Sequence, residues 1–147
     1  PIIEAIIPSV LDPTLTDTPD HHVMSLLCKY MPYDLSGGRS WDDEKDRITE
    51  SILNYVEQFI PRLRDITVGH QCLTPLDLER MLGMTRGDIC HGRLEPDQLF
   101  NMRPHPDAAQ YATPVTGLYL CGSGAHPGGG VTGAPGHNAA RRILKDA

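Results

Sequence analysis

Residues 115–133 read VTGLYLCGSGAHPGGGVTG. The first seven are apolar and predict a buried strand over 115–121. A glycine loop, 122–130, follows. Beyond it, Ala139, Ala140, Ile143 and Leu144 with Arg141, Arg142 and Lys145 predict a helix over 138–144, its cations at the end where the dipole favours them. Pro135 lacks an N–H and clashes with a preceding turn, which places the start of regular helix at Pro135 itself. Strand, glycine loop and helix together can receive an anion: glycines admit the ligand to the backbone, and the first helical N–H groups are free donors. By spacing alone, a purely structural glycine turn accounts for the segment equally well.

Two sharper readings of this stretch fail. Gly128, Gly130 and Gly133 formally spell G-x-G-x-x-G. A dinucleotide fingerprint needs its first glycine directly after the strand and an acidic residue about 20 positions on, after a second strand. Gly128 lies seven residues beyond Cys121, and the sequence ends at Ala147. His126-Pro127-Gly128-Gly129-Gly130 resembles an esterase oxyanion loop, but no G-x-S-x-G elbow follows, and Cys121 stands two residues before Ser123.

Working outward, the run from Ala108 to Ala140 holds no Asp, Glu, Lys or Arg. Eight glycines with Pro114, Pro127 and Pro135 exclude a lipid-exposed helix there, so a buried or ligand-covered segment is expected. Upstream, 2–7 (IIEAII) predicts a strand ended by Pro8, and 22–31 a second ended by Pro32. Ser36-Gly37-Gly38 is a turn. Ser40 is an N-cap with Asp43 three residues on, and Asp42, Asp43 and Glu44 suit the positive end of a helix. Ile48, Ile52, Leu53, Val56, Phe59 and Ile60 form its packing stripe, which Pro61 ends. A short strand is expected around Ile66 and Val68. Thr74-Pro75 opens a helix to about Leu82, with Gly83 as its left-handed end. Residues 84–114 read as irregular, Trp41 and Tyr33 as packing, and His126 as a loop histidine with an ordinary hydrogen bond. No internal repeat is visible.

Composition narrows the function class. The 147 residues carry 13 Lys and Arg against 19 Asp and Glu, a net charge of −6, with no basic run for nucleic acid. With 39% hydrophobic residues a core is possible, and 14 Gly with 13 Pro make the chain loop-rich. Cys28, Cys72, Cys90 and Cys121 form no C-x-x-C pair, and neither His21-His22 nor Cys90-His91 has spaced partners, so no metal site is expected. No signal peptide or transmembrane segment is visible.

The motif over 117–133 resembles the C-terminal flavin motif of the phytoene-desaturase-like FAD-dependent oxidoreductases, within the amine oxidase superfamily. The likeness extends along the chain through Ile7-Pro8-Ser9, LDPTL (11–15), Tyr30-Met31-Pro32-Tyr33, LTPLDLE (73–79), Asp97-Gln98-Leu99 and Arg103-Pro104. The resemblance implies an α/β enzyme of two domains, of which this chain is a C-terminal fragment, mixed α+β when taken alone. Residues 1–112 would be the end of the substrate domain and the return segment, and 113–147 the closing strand, glycine loop and helix of the FAD-binding domain.

By the same resemblance, Gly122, Ser123 and Gly124 in the turn, and Gly129, Gly130, Val131 and Thr132 at the helix start, face the FAD. No catalytic side chain is assigned. Hydride reaching the flavin leaves negative charge at its pyrimidine edge, which backbone N–H groups and a helix N-terminus stabilise; the uncharged run offers no cation for this. Implied partners are an N-terminal Rossmann part of the same protein and a small, largely apolar substrate. Exposed apolar surface on a piece of a larger fold implies self-association. A eukaryotic member would sit in the mitochondrial matrix and a bacterial one in the cytoplasm. An isolated fragment is expected to be inactive; the alternative is a non-catalytic interaction or regulatory module derived from the fold.

Overall fold

The computed structural model describes residues 2–147. They form two compact units that divide between Pro75 and Leu76. The elements are helices and one two-stranded sheet, a mixed α and β chain.

In the first unit, β1 (Ile2–Ile6) pairs antiparallel with β2 (Ser25–Lys29), Glu4 lying opposite Leu27. Lys29 forms an ion pair with Glu4 across the strands. The second strand is shorter than the predicted 22–31. Between the strands, 3₁₀ turns at Pro8–Val10 and Pro13–Leu15 use prolines at their starts, where a missing N–H costs nothing. Ser9 is buried; its hydroxyl accepts from the Val23 N–H and bonds His22 Nδ1, both at 3.0 Å.

Helix α1 (Trp41–Val56) begins as its sequence dictates: the Ser40 hydroxyl accepts the Asp42 N–H at 3.1 Å. Trp41 is buried and donates its indole N–H to the Tyr33 carbonyl at 2.9 Å. Val56 is buried, and Ile48, Ile52, Leu53 and Ile60 are half-buried, so the stripe packs as expected; Phe59 at its end stays exposed against Tyr55. The helix stops five residues before Pro61, which disfavours helical backbone in the residue preceding it. The strand expected around Ile66 and Val68 does not form. Ile66 instead closes the short helix α2 (Leu63–Ile66), and Val68 is exposed irregular backbone. Arg64 accounts for this: it ties the segment to α1 through Glu50, Asn54 and Glu57, and its own N–H donates to Glu57.

In the second unit, α3 (Pro75–Leu82, of which Pro75 belongs to the first unit) ends at Gly83, whose φ of +67° is the left-handed cap. Four 3₁₀ turns follow between 85 and 108. The predicted strand over 115–121 is absent. Residues 111–120 close into a hairpin with one bridge, Ala112 to Tyr119, and Gly117 takes φ +79° at its tip. The Leu120 N–H donates to the Tyr111 carbonyl at 2.8 Å, and the Thr113 N–H to the Leu118 carbonyl at 3.1 Å. An apolar run names no pairing partner, and here the Val115, Leu118 and Leu120 N–H groups find acceptors within the hairpin itself. Helix α4 (Ala134–Asp146) is longer than predicted and starts one residue before Pro135, which occupies the second helical position where no intrahelical donor is needed. The core of this unit is Tyr111, Ala125 and Ala139, with Leu120 against them.

Candidate functional site: the glycine loop and its buried arginine

The glycine loop lies between the hairpin and α4 and is fixed from beneath by side chains. Tyr111 is buried; its hydroxyl donates to the His126 carbonyl at 3.1 Å and accepts from Asn138 of α4 at 2.8 Å. The Ala125 N–H bonds the Gly122 carbonyl and the Gly128 N–H bonds the Ala125 carbonyl, so 122–128 forms two successive turns. The His126 ring sits 6.0 Å from Phe100. Its backbone, rather than its imidazole, makes the hydrogen bond.

Arg103 is marked with Pro104 by the family resemblance, but sequence reasoning gives it no role. It is 1% exposed. Its guanidinium donates to backbone carbonyls: Cys90 at 2.7 Å, Ser123 at 3.0 Å from Nη2 and 3.3 Å from Nε, His91 at 3.3 Å and Arg93 at 3.4 Å. Among the described residues it has no carboxylate partner. Gly128 lies directly over it; a Cβ there would stand 3.7 Å from Arg103 Nε and from Leu94, at φ +101°. One sequence signal could have found it: Arg103 is the only Lys or Arg between Arg93 and Arg141.

The seven predicted cofactor-facing residues split into two groups. Gly122, Ser123 and Gly124 come together in the wall of a cleft of about 430 Å³, with His91, Pro104 and Cys121. Gly129, Gly130, Val131 and Thr132 do not stand at the helix start. They lie in exposed loop ahead of Gly133, the N-cap residue of α4, with Val131 at φ +57°. Thr132 alone reaches the helix, its hydroxyl accepting the Ala134 N–H at 3.2 Å. Pro135 removes one donor from the first turn, so the helix N-terminus offers less than expected; among the described residues only Gly136 keeps a free N–H there. The loop offers more. Among the described residues, the backbone N–H groups of all seven meet no protein acceptor. A Cβ at Gly122 would meet nothing within 4 Å. The expectation of a buried uncharged run holds for Ala125, Gly128 and Ala139, whereas Val115, Leu118 and Val131 are exposed.

The hairpin is tied to the far end of α4 by Tyr119, whose hydroxyl donates to Asp146 at 3.1 Å, while Arg142 bonds the same carboxylate at 2.8 Å. The hydrogen bond from Arg142 holds the Asp146 carboxyl below its usual range; partial burial, then Asp146, push the Tyr119 phenol up.

The chain is 48% identical over 99% of its length to pyridine nucleotide-disulfide oxidoreductase domain-containing protein 2 of Rattus norvegicus, of which it covers 25%. It resembles the C-terminal part of a phytoene-desaturase-like oxidoreductase. It is also 34% identical over 69% of its length to a limonene dehydrogenase subunit of Castellaniella defragrans (18% of that protein), and 33% over 65% to a lycopene-forming phytoene desaturase of Pantoea ananas (19%). The chain thus spans about a quarter, or less, of the curated relatives it matches. No family model and no solved structure matches it. Among the described residues no helix is long and apolar enough to cross a membrane, and no three His, Cys, Asp or Glu residues gather as metal ligands would.

Proposed function

We infer that the chain is the C-terminal portion of an FAD-dependent oxidoreductase, with the loop from Gly122 to Thr132 as its flavin-facing wall. The observation that carries this reading is the set of seven unmade backbone N–H donors on a loop without a charged side chain. Such donors suit a ligand edge rich in carbonyl oxygens and anionic nitrogen, as a flavin's pyrimidine edge is. Bound FAD would supply the hydride acceptor for a C–H bond of a largely apolar substrate. The chain's own residues would hold and polarise: Gly122, Ser123 and Gly124 from one turn, Gly129, Gly130, Val131 and Thr132 from the next.

Residues 1–112 then belong with the substrate domain and return path, and 113–147 with the FAD domain, the dinucleotide-binding part being supplied by the rest of the protein. Exposed surface supports the reading of the chain as part of a larger fold. The chain exposes 10680 Å². Two separate globular units of half its mass would expose about 9,000 Å² together. The excess includes Leu11, Val68, Phe59, Val131 and Leu144, apolar side chains that a larger fold would cover.

The test is flavin content and FAD affinity of the full-length protein, wild type against Gly122→Val. The fold has room for this valine, whose side chain would occupy the space left for flavin. About one FAD per wild-type chain is expected, with affinity reduced at least about tenfold by Gly122→Val and an unchanged unfolding transition. Wild-type protein without FAD would point to an interaction module built on the same fold; unchanged affinity in the variant would move the flavin elsewhere.

A further inference from the structure

We propose that Arg103 is the electrostatic positioning residue of the glycine turn, acting through the Ser123–Gly124 peptide to make the site favour an anionic ligand edge. On the flavin reading, on which this rests, that edge belongs to reduced FAD.

A buried guanidinium remains charged, and burying it is costly unless it is paired or fully hydrogen-bonded. Arg103 is 1% exposed and bonds four carbonyls. Carbonyls satisfy its donors but carry no net charge, so the positive charge persists in a poorly solvated place. A structural clip has no need of this. Arg64 closes α2 onto α1 with two glutamates and keeps its head a third exposed.

The peptides that Arg103 holds are not alike. The Cys90–His91 unit donates its N–H to the Asp88 carbonyl, and the His91–Gly92 unit donates to the Asp88 carboxylate at 2.7 Å. The Cys90 N–H takes the other carboxylate oxygen at 2.8 Å. That loop is closed on itself. The Arg93–Leu94 unit also leaves its N–H without an acceptor among the described residues, but its carbonyl takes a single bond at 3.4 Å and Leu94 does not line the cleft. The Ser123–Gly124 unit combines three features. Its carbonyl accepts twice from Arg103, and its N–H, on Gly124, meets no acceptor among the described residues. In a trans peptide the two groups point in opposite directions. The Gly124 N–H is therefore directed away from the guanidinium, and Gly124 lines the cleft with Gly122 and Ser123. A carbonyl polarised by a cation makes its own N–H a stronger donor. The charge that the run from 108 to 140 lacks is thus delivered from outside it, through one peptide bond.

The experiment uses the full-length protein that carries this chain, with FAD and sulfite as probes, because sulfite addition to flavin reports stabilised negative charge at the pyrimidine edge. Affinities for oxidised and reduced FAD and for sulfite are measured in wild type, Arg103→Met and Arg103→Lys. Arg103→Met is expected to lower the preference for reduced over oxidised FAD about tenfold, the margin of a charge-assisted over a neutral hydrogen bond, which is about 30 mV in a two-electron couple. Sulfite affinity should fall in parallel. Arg103→Lys, which keeps the charge, should stay within about threefold of wild type. A merely structural role would weaken both redox forms equally and leave their ratio unchanged, which overturns the proposal while the flavin reading stands. Wild-type protein that retains no FAD overturns both. If Arg103→Met does not fold, Arg103→Gln, which keeps N–H donors without the charge, decides: a fall of about tenfold in the ratio supports the proposal, and a ratio near wild type overturns it.

Discussion

Arg64 and Arg103 do opposite things with the same side chain. Arg64 lies in the first unit, a third exposed, with Glu50, Asn54 and Glu57 around it. Its charge is neutralised where it sits, and the result is a corner between α1 and α2. Arg103 lies in the second unit, enclosed, with carbonyls alone as partners. Its charge is not neutralised, and the result is a polarised turn. The contrast teaches that a buried cation is better read by what its partners lack than by how many it has.

The largest expected effect follows from burial. Arg103→Ala removes every donor from four carbonyls and leaves a void under Gly128. We expect about 3 kcal/mol of lost local stability there, against about 1 kcal/mol for Arg64→Ala, whose partners can return to water. Amide hydrogen exchange separates the two: the Ala125 and Gly128 amides report the glycine turns, and the Glu57 and Ile60 amides the α1 corner. Equal losses at both places would remove the distinction between clip and polariser.

The two regions also differ in how far their sequences disclose them. Helix α1 was legible because its determinants are local: Ser40 as cap, three acids in the first turn, apolar residues at a 3.6 period. The glycine loop was legible as a likeness and as a set of backbone positions. The supports of that loop were not. A strand over 115–121 was expected because apolar character marks burial, but strand formation needs a partner that the run itself does not specify; the hairpin through Gly117 satisfied the backbone first. The resemblance implies Thr132 and its neighbours at the helix start, whereas the left-handed Gly133 caps a helix that begins beyond them. Arg103 was visible only as part of the Arg103-Pro104 likeness; its role was not legible, since carbonyl partners are common to every residue and those of Arg103 stand 10 to 20 positions away.

A smaller effect tests whether the loop depends on Arg103 alone. Tyr111→Phe deletes the hydroxyl that joins the His126 carbonyl to Asn138. Both partners are half-buried, and the expected cost is about 1–2 kcal/mol. Exchange at Gly128 should quicken while the preference for reduced FAD is unchanged, because no charge is altered. If Tyr111→Phe shifts that preference as much as Arg103→Met does, loop position rather than buried charge sets the potential, and the contrast between the arginines loses its functional half.

The smallest effect is at the surface, where Arg142 resembles Arg64 in having a carboxylate partner. The hydrogen bond from Arg142 lowers the Asp146 carboxyl in the folded chain. A lowered carboxyl contributes stability above its unfolded value, near 4, and loses it as pH falls through the folded value. Tyr119 has the opposite sign: its phenol is raised, so its contribution is intact below about pH 10 and is lost as pH rises through the folded value. The tie between hairpin and helix should therefore hold across neutral pH and loosen at both extremes. Asp146→Asn should abolish the acid limb, read as exchange of the Leu120 amide between pH 3 and 5, and should leave the Gly124 turn untouched. An acid limb that survives Asp146→Asn would assign the loosening to another carboxylate, and Arg142 would no longer stand beside Arg64 as a cation neutralised where it sits, in contrast to Arg103.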